Sequence, residues 1–200
     1  MSTVHSRSIR SAAKKAKPRR FEFSLILSGA DNLTDELADA VYEAGCDDAL
    51  LGMQCGVLYL DFEREAPSLK DAILKAIRQV ERAKAGLRVV RVEPDDLVSA
   101  AEIARRVGRS RENIRQLVNG LRGPGGFPPP ISAMRKKSPL WRWSEVAGWF
   151  TQSGLGDDEA VQEANLLGTI NAALELRRRR PSKATMSQIW TLLNPGIKLG

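Results

Sequence analysis

The chain has 200 residues, 42% of them hydrophobic and 28% charged, which is the composition of a globular protein of one or two domains. No apolar run approaches the ~20 residues a membrane span needs, and the basic N-terminus lacks the apolar segment of a secretory signal. The two cysteines, Cys46 and Cys55, have no metal-ligand spacing and the one histidine is His5, which argues against a zinc site or a histidine-dependent triad and points to reduced thiols in a cytoplasmic protein.

The formal net charge of +7 is unevenly spread. Residues 1–20 hold seven basic side chains and no acid, few apolar residues and no period. They read as a disordered basic arm, suited either to lie along phosphates or to act as a solubilising tail. Residues 21–96 carry eight basic and sixteen acidic side chains, and residues 97–150 carry ten and three. The positive charge of the folded part is therefore concentrated in the second of these stretches.

Residues 21–94 read as a small α/β domain. "FEFSLILS" alternates Phe21, Phe23, Leu25 and Leu27 on one face, as a strand does. "NLTDELADAVYEAG" puts Leu33, Leu37 and Val41 on one helical stripe and ends at Gly45. "ALLGMQ" and "GVLYLDFE" are two strands with a tight link near Gln54–Gly56. "SLKDAILKAIRQVERAKAG" begins at Ser68 and buries Leu69, Ile73, Ile77 and Val80, and "LRVVRVEP" is a last strand. The order β-α-β-β-α-β is that of the ferredoxin-like arrangement, with two helices on one face of a four-stranded sheet. RNA-recognition motifs and amino-acid-sensing ACT-type domains share this order. The opposite face would offer Glu22, Ser24, Ile26, Val57, Tyr59 and Asp61. One tyrosine between acids is a poor platform for stacking bases, so a small-ligand sensor or a dimerising surface fits better than RNA binding.

Within residues 95–151 the stretch "AEIARRVGRSRENIRQLVNG" covers residues 101–120. Ser99 and Glu102 have the S-x-x-E form of a capping box, so a helix starts at Ala100 and buries Ile103 and Val107, with Ala104 small beside them. Gly108 suits a sharp turn needing a positive φ. Ser110 is an N-cap for a second helix whose Ile114, Leu117 and Val118 face back onto the first. Its outward residues are Arg111, Glu112, Arg115, Gln116 and Asn119, and Arg, Gln and Asn are the side chains that make paired hydrogen bonds to base edges. An ordinary αα-hairpin in a helical core is the structural alternative. After a glycine-rich loop, "FPPPI" and "PLWRW" read as two short edge strands around a basic tip at Arg135, Lys136 and Lys137. Trp141 and Trp143 alternate onto one face, where core packing explains both. Ser144 then caps a last helix with Val146, Trp149 and Phe150 on one stripe.

This order of helix, turn, helix, proline-rich hairpin, "WRW" and short aromatic helix resembles the winged helix-turn-helix modules of the MerR and excisionase (AlpA-like) regulators, over roughly residues 95–151. The resemblance implies a recognition helix at about 110–121 in the major groove of double-stranded DNA and a basic wing on the backbone. The base-edge candidates are then Arg111, Glu112, Arg115, Gln116 and Asn119. The backbone candidates are Arg109, Ser110, Arg135, Lys136 and Lys137.

Residues 152–200 read as a C-terminal helical extension. Val161, Ala164, Leu167, Ile170 and Leu174 form a stripe between acidic Asp157–Glu159 and basic Arg177–Arg180, which suits the helix dipole. The four arginines read as a solvated helix end in preference to a nucleic-acid site. Ser187–Leu193 reads as a short amphipathic helix through Ile189, Trp190 and Leu193, docking on the body or a partner.

No glycine loop joins a strand to a helix as phosphate-binding motifs require, and Asp47–Asp48 and Asp157–Asp158 read as turn and cap residues. The expectation is an α+β protein that is no enzyme, with no catalytic residues, metal or cofactor. It would be a sequence-specific DNA-binding regulator, cytoplasmic, not membrane-bound, and a homodimer on two half-sites. The alternatives are an antitoxin-like autoregulator with a protein partner, or a regulator sensing a small ligand through the α/β domain.

Overall fold

The apolar alternation puts Phe21, Phe23, Leu25 and Leu27 on one face of β1 (Arg19–Ser28), and all four are buried. The computed structural model describes residues 17–83, 85–132 and 139–193; the basic arm up to residue 16 lies outside the described residues. After β1 come α1 (Asp35–Glu43), β2 (Ala49–Gln54), β3 (Val57–Ala66), α2 (Leu69–Arg82) and β4 (Arg88–Glu93). The four strands form an antiparallel sheet in the order β2-β3-β1-β4. Thr34 caps α1 by accepting from Leu37 N at 3.2 Å, and Ser68 caps α2 by accepting from Asp71 N at 3.1 Å. Leu37 and Val41 from α1 and Ile73, Ile77 and Val80 from α2 share one core with the inward face of the sheet. Leu33 is not on that stripe: the helix begins after Thr34, and Leu33 is exposed.

The inward face also holds Arg64, which is buried between Phe62 and α2. It donates to both carboxylate oxygens of Asp48 at 2.7 and 2.6 Å, to Gln79 Oε1 at 2.7 Å and to Gly45 O at 3.4 Å. Burial pushes the neighbouring Cys46 thiol up, while the guanidinium of Arg64 holds Asp48 below the usual carboxylate range.

A second core forms from β5 (Leu97–Ser99), α3 (Ala100–Arg106), α4 (Arg111–Val118), β6 (Leu140–Arg142) and α5 (Trp143–Gln152). It gathers Val98, Ile103, Ile114, Leu117, Trp141, Val146 and Phe150. The strand pairing differs from the sequence expectation. β6 pairs antiparallel with β5, Val98 opposite Trp141, and "FPPPI" forms no strand. Prolines lack the N–H a ladder needs, so this segment meets Leu140 only through Ile131 N and Ser132, while Pro128 O accepts from Trp141 Nε1 at 3.0 Å. The alternation of the tryptophans also ends early, because Trp143 already opens α5.

Ser144 does not cap α5. Asp96, 6% exposed, does so from across the module: its Oδ1 accepts from Ser144 N at 2.9 Å and its carbonyl from Trp143 N at 2.6 Å.

Helix α6 (Asp158–Arg179), capped by Asp157, packs on α5 and on β4. Its Leu167, Ile170 and Leu174 enter the core of the four-stranded sheet. β4 is an edge strand, and α6 covers that edge with side chains. Asn171 bonds both N and O of Val92, at 2.8 and 2.9 Å. Arg177 donates to Val89 O at 2.6 Å and to Glu81, which itself accepts from Val89 N at 3.0 Å. The arginine run is thus divided in role. Arg177 seals the sheet edge, Arg178 and Arg179 bond Glu175, and Arg180 is the left-handed C-cap. Helix α7 (Lys183–Leu193) is longer than expected and leaves Ile189 and Leu193 exposed, so these two do not dock on the body. Among the described residues, no helix is long and apolar enough to cross a membrane.

Candidate nucleic-acid interface

The α3–α4 pair is built by local signals. Ser99 Oγ accepts from Glu102 N at 3.3 Å, which is one half of the expected capping box. The other half does not form, because the Glu102 carboxylate takes Arg105 at 2.9 and 2.6 Å and Arg106 at 2.7 Å. Arg105, then Arg106, hold Glu102 down to about 2 against the cost of its partial burial.

The turn then follows from Gly108, at φ 61°. Its N–H bonds Arg105 O at 3.3 Å, and Arg109 N bonds Ala104 O at 2.8 Å, the two bonds of a Schellman ending. A Cβ at Gly108 would meet no neighbour, so the requirement is for the backbone conformation alone. Ser110 Oγ accepts from Asn113 N at 3.1 Å and starts α4 at Arg111.

Ile114 and Leu117 are buried in the same core as Ile103 and Ala104 of α3. That fixes the outward side of α4. Arg111, Glu112, Arg115 and Asn119 are exposed and Gln116 is half-buried, all five on one helix as the sequence reading placed them. They are not independent side chains. Glu112 accepts two bonds from Arg115, at 2.8 and 2.7 Å, and one from Gln116 at 3.3 Å. Arg115 is the main cause that lowers Glu112, and Glu112 in turn raises Arg115. Arg111 has no ion pair among the described residues and presents its charge freely at the first turn.

The backbone candidates separate. Ser110 spends its hydroxyl on the cap. Arg109 is half-buried over the ring of Phe150, 5.6 Å from its centroid, and its Nη1 donates to Asn113 Oδ1 at 3.4 Å. That is a packing role. Arg135, Lys136 and Lys137 lie outside the described residues. Arg105, within α3 and bonded to Glu102, and Arg122, just after α4, are exposed cations that the sequence reading did not single out. The signal available for Arg122 was its place just after α4, before the glycine-rich loop.

The open face of the four-stranded sheet carries Glu22 opposite Glu63, and Ser24 bonded to Asp61 at 2.5 Å. The half-buried ring of Tyr59 lies against Gly52. Arg20 reaches Glu63 at 3.0 Å and Arg91 reaches Glu93 at 3.4 Å, so part of this charge is paired, and the acids in excess disfavour a phosphate backbone. Among the described residues, no cluster of three or more His, Cys, Asp or Glu could hold a metal ion.

No protein-family model, curated protein or solved structure matches this chain. What α4 presents must therefore be read from its own chemistry.

Proposed function

We propose that the protein binds double-stranded DNA sequence-specifically, as a regulator, with α4 in the major groove and the basic segment at Arg135–Lys137 on the backbone. The observation that carries this reading is the division of α4. Its apolar side is buried in the core it shares with α3, β5, β6 and α5, and its other side carries two exposed arginines, an exposed asparagine and a half-buried glutamine. A helix hairpin serving only as core would not need that set of paired donors. The charge supports the same reading, since residues 97–150 carry ten basic and three acidic side chains while residues 21–96 carry eight and sixteen.

On this reading the α3–α4 pair is a helix-turn-helix, and the βαββαβ domain with sheet order β2-β3-β1-β4 is ferredoxin-like and serves for pairing or sensing. The regulator acts as a homodimer on two half-sites and performs no catalysis.

The test is binding of the wild type, Arg115→Ala and the triple alanine variant of Arg135, Lys136 and Lys137 to specific and random duplexes over a salt series. Target sites come first from sequencing of duplexes retained by the protein. Arg115→Ala should lose roughly tenfold or more in preference at one base position. The triple variant should weaken all duplexes alike and flatten the slope of log K against log[salt] by up to about 0.9 for each phosphate it no longer reaches. Unchanged binding in both variants overturns the reading.

A further inference from the structure

The arginines at the end of α6 do more than terminate a helix. Between that end and the Ser28–Arg88 end of the β1–β4 pair lies a cleft of about 470 Å³. Arg88, Arg177, Arg178 and Arg180 line it together with Ser28, over a floor that includes Leu174, and among the described residues no acidic side chain lines it. The carboxylates sit behind the arginines. Glu81 takes Arg177 at 3.0 and 2.7 Å and faces Arg88 at 3.5 Å, and Glu175 is shared by Arg178 and Arg179. The four arginines of the lining therefore meet two carboxylates, one of them shared with Arg179 outside the lining, which leaves excess positive charge at the cleft.

Arg180 is placed there at a cost. Its φ is 47°, and Cys55 is the only other non-glycine among the described residues with a positive φ. A C-cap in this conformation is ordinarily glycine or asparagine, because a Cβ is strained there. An arginine at such a position trades backbone comfort for a guanidinium at the mouth of the cleft. Like-charged guanidiniums around a small concave space, with an apolar floor and a free hydroxyl from Ser28, are the chemistry that recognises a phosphoryl group. The volume is in the range of small-molecule sites, about 300–1,000 Å³.

We infer that this cleft binds a small phosphorylated molecule. The inference does not rest on the DNA-binding reading: the cleft lies about 30 Å along α6 from Asp158, at 1.5 Å rise per residue. A phosphoryl group could also arrive as part of a nucleic-acid backbone, and the experiment separates the two sources.

Inorganic pyrophosphate is titrated calorimetrically into the full-length protein at constant ionic strength, for the wild type, Arg180→Gly, Arg88→Ala and Arg122→Ala. The wild type should bind at one saturable site. Arg180→Gly and Arg88→Ala should bind at least about tenfold more weakly, and Arg122→Ala as the wild type does. Arg180→Gly is the decisive variant because glycine relieves the left-handed backbone. Its thermal midpoint without ligand should equal or exceed that of the wild type while its binding falls. The inference is overturned if no saturable binding is found at millimolar pyrophosphate, if all variants bind alike, or if sulfate at equal ionic strength competes fully. It is overturned equally if Arg180→Gly weakens binding of a random duplex while pyrophosphate does not bind, since the cleft would then hold nucleic-acid backbone.

Discussion

The side-chain amide of Asn171 bonds the backbone of Val92 twice, accepting from its N–H at 2.8 Å and donating to its carbonyl at 2.9 Å. In this way a helix residue supplies the ladder bonds that a fifth strand would have made. Asn171→Ala leaves a backbone donor and acceptor on the edge of β4 without partners. The expected loss is about 1–3 kcal/mol of stability, with a greater tendency to self-associate through the exposed edge. Urea unfolding and light scattering of the variant check both parts. An unchanged urea midpoint would show that water replaces the amide at no cost.

Arg64 and Asp48 make a second non-local pairing with a sharper asymmetry. The Arg64 side chain is 4% exposed and that of Asp48 is 32% exposed. Asp48→Ala leaves a buried guanidinium with only Gln79 and Gly45 O as acceptors. It should cost about 3 kcal/mol, the low end for breaking a buried pair, because water reaches the Asp48 side. Arg64→Met, which fills the space without a charge, should cost less. The ranking of the two variants in denaturant unfolding is the test, and the reverse order would refute this account of the pair.

Stability should fall in acid. Glu102 titrates at about 2 in the folded protein, held there by Arg105 and Arg106, against ~4.3 for an ordinary glutamate. The folded state binds this proton less readily than the unfolded chain. The contribution is therefore complete above the unfolded value and is lost as pH falls through about 2. Asp48 is lowered in the same direction by Arg64. Thermal midpoints measured from pH 5 to pH 2 should decline, and Glu102→Gln should decline less steeply than the wild type. Parallel curves for the two proteins would remove Glu102 from the explanation.

Glu112 should restrain α4. It holds Arg115 by two bonds and Gln116 by a third, so two of the proposed base readers share one carboxylate. On the proposed reading, Glu112→Gln frees both and removes a negative charge facing the phosphates. Affinity for random duplexes should then rise by a few-fold while preference at one base position declines. Competition binding with specific and random duplexes checks this. A variant that keeps full base preference shows that Glu112 does not position Arg115.

What was legible in the sequence was what is encoded locally. Ser68, Ser99 and Ser110 each cap the helix that follows them, because a cap is decided within three residues. Gly108 marks the turn for the same reason. Ser144 misled because its competitor, Asp96, is 48 positions away in sequence. Strand β5 was missed because Leu97–Ser99 is too short to show a period. The proline segment was overvalued as a strand because its apolar residues fit the pattern while its missing N–H groups do not. On α4 the exposed residues were placed correctly from the 3.6-residue period, yet each was read alone. The Glu112–Arg115 spacing of three already put the two in reach of one another. Arg177 was read as part of a solvated run, since its partners Glu81 and Val89 come from a different element.

The continuity of α6 has a geometric consequence for any assembled form. The helix packs on α5 and places three side chains in the core of the sheet, so the module of residues 95–151 is braced to the sheet domain instead of hanging on a tether. In a dimer of the proposed kind, if it pairs through the sheet domains, the two copies of α4 would stand at a fixed separation and a fixed rotational phase. DNA turns once in about 10–10.5 base pairs, so inserting about five between the half-sites would carry the second one to the far side of the duplex. A tethered module would tolerate the change, whereas a braced one would leave its second subunit off the DNA.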